Sequence, residues 1–233
     1  MQYSLTEAQV ELRVQILKLC ADFGDEYWLK IDQEARFPEE FYKAVASAGW
    51  LGIAMPEEFG GAGMNIQQYV RTIRELSYAM PCYRSITSIN IGMVCSALKN
   101  GGTEAQKAHW LPRLAAGDPL CAIAITEPDY GSDVAGVKVS ATPTEGGYLI
   151  NGVKTWCTFG ARANVLMLLA RTDPDRSKTH RGLSLFIVPK PVGDAHGFMF
   201  TQDGGGKMEG RPIDTIGYRG MHSYEIAIEN WFV

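Results

Sequence analysis

Residues 124–136 read Ala-Ile-Thr-Glu-Pro-Asp-Tyr-Gly-Ser-Asp-Val-Ala-Gly. Glu127, Asp129 and Asp133 put three carboxylates into one short run, flanked by the hydroxyls of Thr126 and Ser132. A hard-cation site needs more convergent oxygens than these, and no EF-hand spacing is present. A glycosidase pair needs carboxylates facing each other across a cleft, which one tight loop does not supply. Turn formation is the ordinary work of Asp and Pro, because Asp bonds to nearby backbone amides. The acids are therefore read as shaping the loop. That leaves the Thr126 and Ser132 hydroxyls and the amides around Gly131 to meet a ligand, and a glycine there lets backbone N–H groups come close. The run is neither a dinucleotide fingerprint nor a P-loop.

A second group is Lys154-Thr155-Trp156-Cys157-Thr158. On a strand, residues two apart share a face, so Trp156 and Thr158 offer a flat aromatic surface beside a hydroxyl. Such a pair suits a planar heteroaromatic ligand with a hydrogen-bonding edge. The competing reading is a core tryptophan, since its large area favours burial. Elsewhere the chemistry is thin. His109, His180, His196 and His222 are scattered without metal spacing. No G-x-S-x-G is present, so hydrolase chemistry has no support. The glycines of residues 56–65 read as turn formers, and Arg219 as a surface arginine.

These groups need elements to hold them. Residues 1–118 have helical periodicity. Thr6 and Gln9 form a capping-box pattern ahead of Val10, Val14 and Leu17. Pro38 opens a second helix carrying Phe41 and Val45, and Gly49 closes it. Asn65 caps a third, with Ile66, Tyr69, Val70, Ile73 and Leu76 as its stripe. Ile86, Ile89 and Met93 mark a fourth, ending at Gly101-Gly102. Thr103 and Gln106 repeat the capping box before Trp110, Leu111 and Leu114. Five helices with short connections make a bundle. From Leu120 the pattern changes to strands: 121–126, 137–141, 148–150, 165–172, 183–189 and 224–233. Asn151-Gly152 signals a two-residue hairpin after 148–150. The Gly-rich stretch 193–210 reads as a mobile loop. The expected fold is α+β and multidomain: an N-terminal all-α bundle over 1–118, then an all-β barrel or sandwich over 119–233.

Bulk properties narrow the class. With 233 residues and 46% hydrophobic content, the chain can build a real core. A net charge of −4 gives no basic footprint for nucleic acid. No apolar run is long enough for a membrane span, and the N-terminus is not a secretory signal. Five cysteines, odd in number, widely spaced and without CxxC, suit buried thiols in a reducing compartment. The cytoplasm is the expected address.

The order of a helical domain, then AITEPDYGSDVAG, then NGVKTWCTFG, resembles the acyl-CoA dehydrogenase family. Supporting stretches run the length of the chain: 37–63, 101–118 and 216–233. Tyr130 and Met221-His222 depart from the family pattern, which has smaller or more acidic residues there. The resemblance implies FAD as cofactor, with Ile123, Ile125, Thr126, Gly131, Ser132, Trp156 and Thr158 binding it. Thr126 would lie at the pyrimidine edge, Trp156 on the isoalloxazine and Thr158 near N5. Ser132 would also meet the CoA part of the substrate, and residues 87–94 would line the acyl tail.

The implied reaction is α,β-desaturation of an acyl-CoA thioester, as in fatty acid metabolism. An electron-transferring flavoprotein would be the acceptor and a homo-oligomer, commonly a tetramer, the assembly. The same resemblance admits an acyl-CoA oxidase, a flavin monooxygenase or a non-catalytic truncated partner subunit. It also implies a third, helical domain carrying the catalytic carboxylate, so no catalytic base is assigned within these residues. A chain without that domain is expected to be inactive alone and to bind flavin weakly.

Overall fold

A computed structural model describes residues 5–194 and 196–233. The chain divides into two compact units, Met1–Pro119 and Leu120–Val233.

The first unit is helical: α1 (Glu7–Ala21), α2 (Asp25–Glu34), α3 (Glu39–Ser47), α4 (Ile66–Leu76), α5 (Ser85–Thr87), α6 (Ser96–Gly101) and α7 (Glu104–Ala115). A π-helical stretch, Ser88–Cys95, joins α5 to α6. Helix starts follow local chemistry. Thr6, Asn65 and Thr103 each accept from the amide three residues on, and the Gln at that position reaches back to the cap amide. Sequence periodicity does not reveal α2. It starts at Gly24 with no side-chain cap and buries only Trp28 and Ile31 of its own residues.

The predicted apolar stripes are only partly inside. On α4, Ile66 and Val70 are exposed, and the buried face is Thr72, Glu75 and Leu76. Glu75 is held there by Arg71 at 3.2 Å and Arg13 at 3.5 Å, so its charge is paired within the helical packing. Met93 is exposed although Ile86 and Ile89 are buried. The π-helical stretch explains this: its wider i→i+5 turn shifts the phase, so Ile91, Val94 and Cys95 face inward instead. Around them, Ile16, Ile31, Phe41, Val45, Leu51, Leu111 and Leu114 form the core. Each such burial is worth about 1.5–3 kcal/mol.

The second unit is one curled, mixed eight-stranded sheet, a half-barrel. Its strands are β1 (Cys121–Ala124), β2 (Ser140–Thr144), β3 (Gly147–Thr158), β4 (Val165–Arg171), β5 (Leu183–Pro189), β6 (Phe198–Thr201), β7 (Lys207–Ile213) and β8 (Ser223–Phe232). The order is β1-β4-β2-β3-β8-β7-β6, with β5 on β4. The class is thus α+β, a helical domain followed by a β domain.

Three local expectations are corrected. Asn151-Gly152 is not a hairpin: β3 runs straight through it, and the β2–β3 hairpin turns at Glu145-Gly146, where Gly146 has φ +79°. Instead Asn151 sits opposite a bulge in β8, accepting from the Asn230 amide at 2.8 Å, and Asn230 itself has φ +46°. An Asn-Gly pair tolerates irregular backbone in general, and here the sheet uses it for a bulge. The stretch 193–210 is not simply a loop, because β6 and β7 pair antiparallel within it. Its turn is tied down by Gln202, whose side chain donates to Phe232 O at 3.0 Å and accepts from Phe232 N at 2.8 Å. Finally, β2 begins at Ser140 rather than Val137, although Val137 and Val139 are buried as a strand would bury them.

Candidate functional site

The loop after β1 is built from its acids outward. Glu127 and Tyr130 exchange backbone hydrogen bonds of 2.9 and 3.1 Å, closing a tight turn over Pro128-Asp129. The Glu127 carboxylate is buried. It accepts from Lys138 N at 2.7 Å, Val139 N at 2.9 Å and the Lys154 ammonium at 2.9 Å. Lys154, also fully buried, donates to Ile125 O at 2.9 Å. Burial pulls the Lys154 pKa below its ordinary value, against the pull of Glu127. Asp129 faces outward and pairs with Lys138 at 3.2 Å. Glu127 thus holds the loop from inside, while Asp129 lies at its surface. Among the described residues, no cluster of three or more His, Cys, Asp or Glu could hold a metal ion.

The far limb of the loop hangs on Arg171. Among the described residues, the hydrogen bonds of this buried guanidinium go to backbone carbonyls. It donates to Val137 O at 3.2 Å and Ala135 O at 2.6 Å. Tyr130, one of the departures from the family pattern, packs its ring against Gly136, where an added Cβ would lie 2.3 Å from it. Lys138 caps the same ring at 5.1 Å. Between these anchors Gly131 and Ser132 are exposed, and nothing lies within 4 Å of a Cβ built on Gly131. Ile123, Ile125 and Thr126 are half-buried.

Trp156 is not a core residue: it is 55% exposed. The cause is a bulge in β3. Thr155 and Trp156 together face the single residue Glu225 of β8, and Trp156 takes φ +59°, a left-handed conformation unusual for a large side chain. Thr158 is half-buried, and the wholly buried Cys157 separates the two. Regular period-two alternation predicts this presentation, but the bulge is what produces it. Burial pushes the Cys157 thiol up to about 12, so it is an inert neighbour. The Thr155 amide donates to Thr126 O at 2.9 Å, bringing the bulge and the loop together. Thr158 Oγ1 lies 3.5 Å from Ser223 Oγ.

Further left-handed residues gather here. Phe159 has φ +45° and His222 has φ +28°, and the Phe159 amide donates to His222 O at 2.7 Å. Strained backbone of this kind concentrates at working sites. The structure therefore brings Thr126, Trp156 and Thr158 to one bend of the second unit. Residues 87–94 lie in the first unit, in α5 and the π-helical stretch, where Ile89, Asn90, Ile91 and Val94 are buried. Sequence reasoning missed the roles of Lys154 and Arg171. Lys154 is a cation in the middle of β3 and Arg171 one at the end of the apolar β4, and that misfit was the available signal.

A helical unit followed by a unit of one curled β-sheet defines a two-unit α+β protein. The family model of the acyl-CoA dehydrogenase N-terminal domain matches residues 6–118, and that of the middle domain matches residues 122–231. The chain belongs to the acyl-CoA dehydrogenase family. It is 39% identical over 199 residues to a (2S)-methylsuccinyl-CoA dehydrogenase of Cereibacter sphaeroides, covering 84% of this chain and 35% of that protein. It is 31% identical over 229 residues to a mitochondrial isovaleryl-CoA dehydrogenase of Arabidopsis thaliana, covering 97% and 53%. Among solved structures, a glutaryl-coenzyme A dehydrogenase in complex with glutaryl-CoA matches with a TM-score of 0.87 at 25% identity, over 100% of this chain and 56% of that one. The chain thus spans about a third to just over half the length of these relatives.

The family and its structural neighbours are FAD-dependent flavoproteins. The residues present fit such a group. An indole open to solvent, threonine hydroxyls and an uncrowded glycine backbone are the donors and surfaces that a planar ring with a polar edge requires. Among the described residues, no helix is long and apolar enough to cross a membrane.

Proposed function

We propose that residues 6–118 and 122–231 are the N-terminal and middle domains of an FAD-dependent acyl-CoA dehydrogenase, and that the Thr126–Trp156–Thr158 bend seats its flavin. The observation that carries this reading is Trp156, a large indole left exposed by a bulge and tied through Thr155 to the Thr126 loop. In this reading the indole packs on the ring system. The Thr126 and Thr158 hydroxyls bond to its edge, Ile123 and Ile125 flank it, and Gly131 and Ser132 approach both cofactor and thioester substrate. When bound, FAD supplies the hydride acceptor for α,β-desaturation of an acyl-CoA.

The chain's own part is orientation and exclusion of water. The proton-abstracting carboxylate is assigned outside these residues. That assignment is supported by the two buried glutamates, Glu127 and Glu75, which are already engaged by Lys154 and by Arg13 and Arg71. The electron acceptor is an electron-transferring flavoprotein, and the assembly a homo-oligomer.

Titrating the chain with FAD tests this. Saturable quenching of tryptophan emission is expected, lost in Trp156→Phe. Undiminished FAD affinity in that variant, read from flavin absorbance, removes Trp156 from the seat. The chain alone is expected to show no acyl-CoA desaturation, and measurable turnover would place a base within these residues.

A further inference from the structure

Glu127 and Lys154 form a buried ion pair whose further bonds run to Ile125 O, beside Thr126, and to the Lys138 and Val139 amides. The Glu127 carboxylate is saturated by the Lys138 and Val139 amides and by Lys154. Lys154 spends its second bond on Ile125 O, the carbonyl just before Thr126. One residue along β3 from Lys154, the Thr155 amide donates to Thr126 O, and the next residue is the exposed Trp156. The pair therefore sits where the loop bearing one set of ligand groups meets the strand bulge bearing the other. A buried ion pair is poor value as a source of stability, because desolvation offsets its attraction. Fixing a single arrangement of two backbone segments is a role such a pair performs better.

We propose that the Glu127–Lys154 pair is a positioning unit that locks the Thr126 segment to the Trp156 bulge, so that hydroxyl and indole present one rigid seat. This rests on the flavin reading above and deepens it. The pair touches no ligand in this scheme and acts through Ile125 O and the Thr155–Thr126 bond. Arg171 is the natural comparator. It anchors the same loop, but at Ala135 and Val137, on the limb away from Thr155.

The test compares the chain with Lys154→Met, Glu127→Gln, the double variant Glu127→Gln/Lys154→Met and Arg171→Met. The double variant leaves no unpaired buried charge, so it folds even where a single variant does not. Native-state hydrogen exchange is followed at the Thr155 amide against β4 amides as an internal standard. FAD affinity is taken from the tryptophan titration. Expected is Thr155 exchange about tenfold faster or more in the pair variants, with β4 amides changing less. The FAD dissociation constant rises about tenfold, the scale on which supporting groups act. Arg171→Met leaves Thr155 exchange unchanged.

Unaltered Thr155 exchange in the double variant overturns the proposal. So does an equal effect of Arg171→Met, which would reduce the pair to one loop anchor among several. Faster Thr155 exchange with unchanged FAD affinity overturns the positioning role while leaving the flavin reading intact. The chain alone is expected to bind FAD weakly, so the titration runs to high FAD concentration; a wild-type chain that takes up no FAD even there overturns the flavin reading itself, and the exchange data then decide alone whether the pair locks the bulge.

Discussion

The amide of Thr155 donates to the carbonyl of Thr126 across 2.9 Å. These residues are far apart in sequence, and each is next to a group proposed to meet the flavin. Thr126 carries its own hydroxyl, and Thr155 precedes Trp156. One backbone hydrogen bond thus joins the two stretches that sequence motifs single out independently.

Trp156→Ala is expected to weaken FAD binding with little loss of fold. The indole is 55% exposed, so its truncation leaves no core cavity. The stability change should stay below about 1 kcal/mol. Urea unfolding with an unchanged midpoint, alongside reduced FAD retention read from flavin absorbance, checks both halves. A large drop in midpoint would mean that the indole packs against the protein rather than awaiting a ligand.

Gly152→Ala should be costly. Gly152 has φ +133°, and a Cβ there would lie 2.7 Å from Val139 Cγ2. Strain plus overpacking should remove about 2–4 kcal/mol. The urea midpoint should fall while the slope stays constant. Tolerance of alanine would show that β3 can shift relative to Val139 at no cost.

The thiols should be quiet in the native chain. Burial raises Cys20 to about 11 and both Cys95 and Cys157 to about 12. At pH 8 their thiolate fraction is then lower by about two or more orders of magnitude than that of a free cysteine. Iodoacetamide followed by mass spectrometry should leave these positions unmodified, and labelling should appear on unfolding. Rapid native labelling of Cys157 would contradict the closed packing beside Trp156.

Acid should weaken the first unit through Glu40. The Arg36 guanidinium bonds to this carboxylate and, with the Glu40 backbone amide and then the Tyr27 hydroxyl, holds its pKa down to about 2 from 4.5. Because the folded value is the lower one, the stabilisation is complete above pH 4.5. It is lost as pH falls from there towards 2. Glu40 is largely exposed, so the effect is modest. Glu40→Gln should flatten that part of the stability profile, measured by thermal melts at stepped pH. An identical acid limb in the variant would assign the loss to other carboxylates.

Much of this protein is written in local chemistry. The capping boxes at Thr6, Asn65 and Thr103 are short-range, so the sequence alone locates those helix starts. The switch from helical to strand periodicity near Leu120 is equally local, and the two compact units meet at Pro119–Leu120. Of the acids read as shaping the loop, Glu127 does so, but through the Lys138 and Val139 amides and Lys154 rather than through neighbouring amides, so that part was not local.

What depended on distant partners was not legible. Whether Asn151-Gly152 makes a hairpin or faces a bulge is decided by β8, far along the chain. Which face of α4 is buried is decided by the packing that engulfs Glu75 and leaves Val70 in water. The exposure of Trp156 arises from two residues of β3 facing one of β8, a register that no local pattern encodes. The sequence by itself determined most of the element types, the order of helical and strand regions and the resemblance to the family, but not α2 or the β6–β7 pair. Only tertiary structure decided that Lys154 turns inward to Glu127 while Trp156 turns out. A buried charge and an exposed indole both run against residue preference, and each persists only because long-range contacts hold it there.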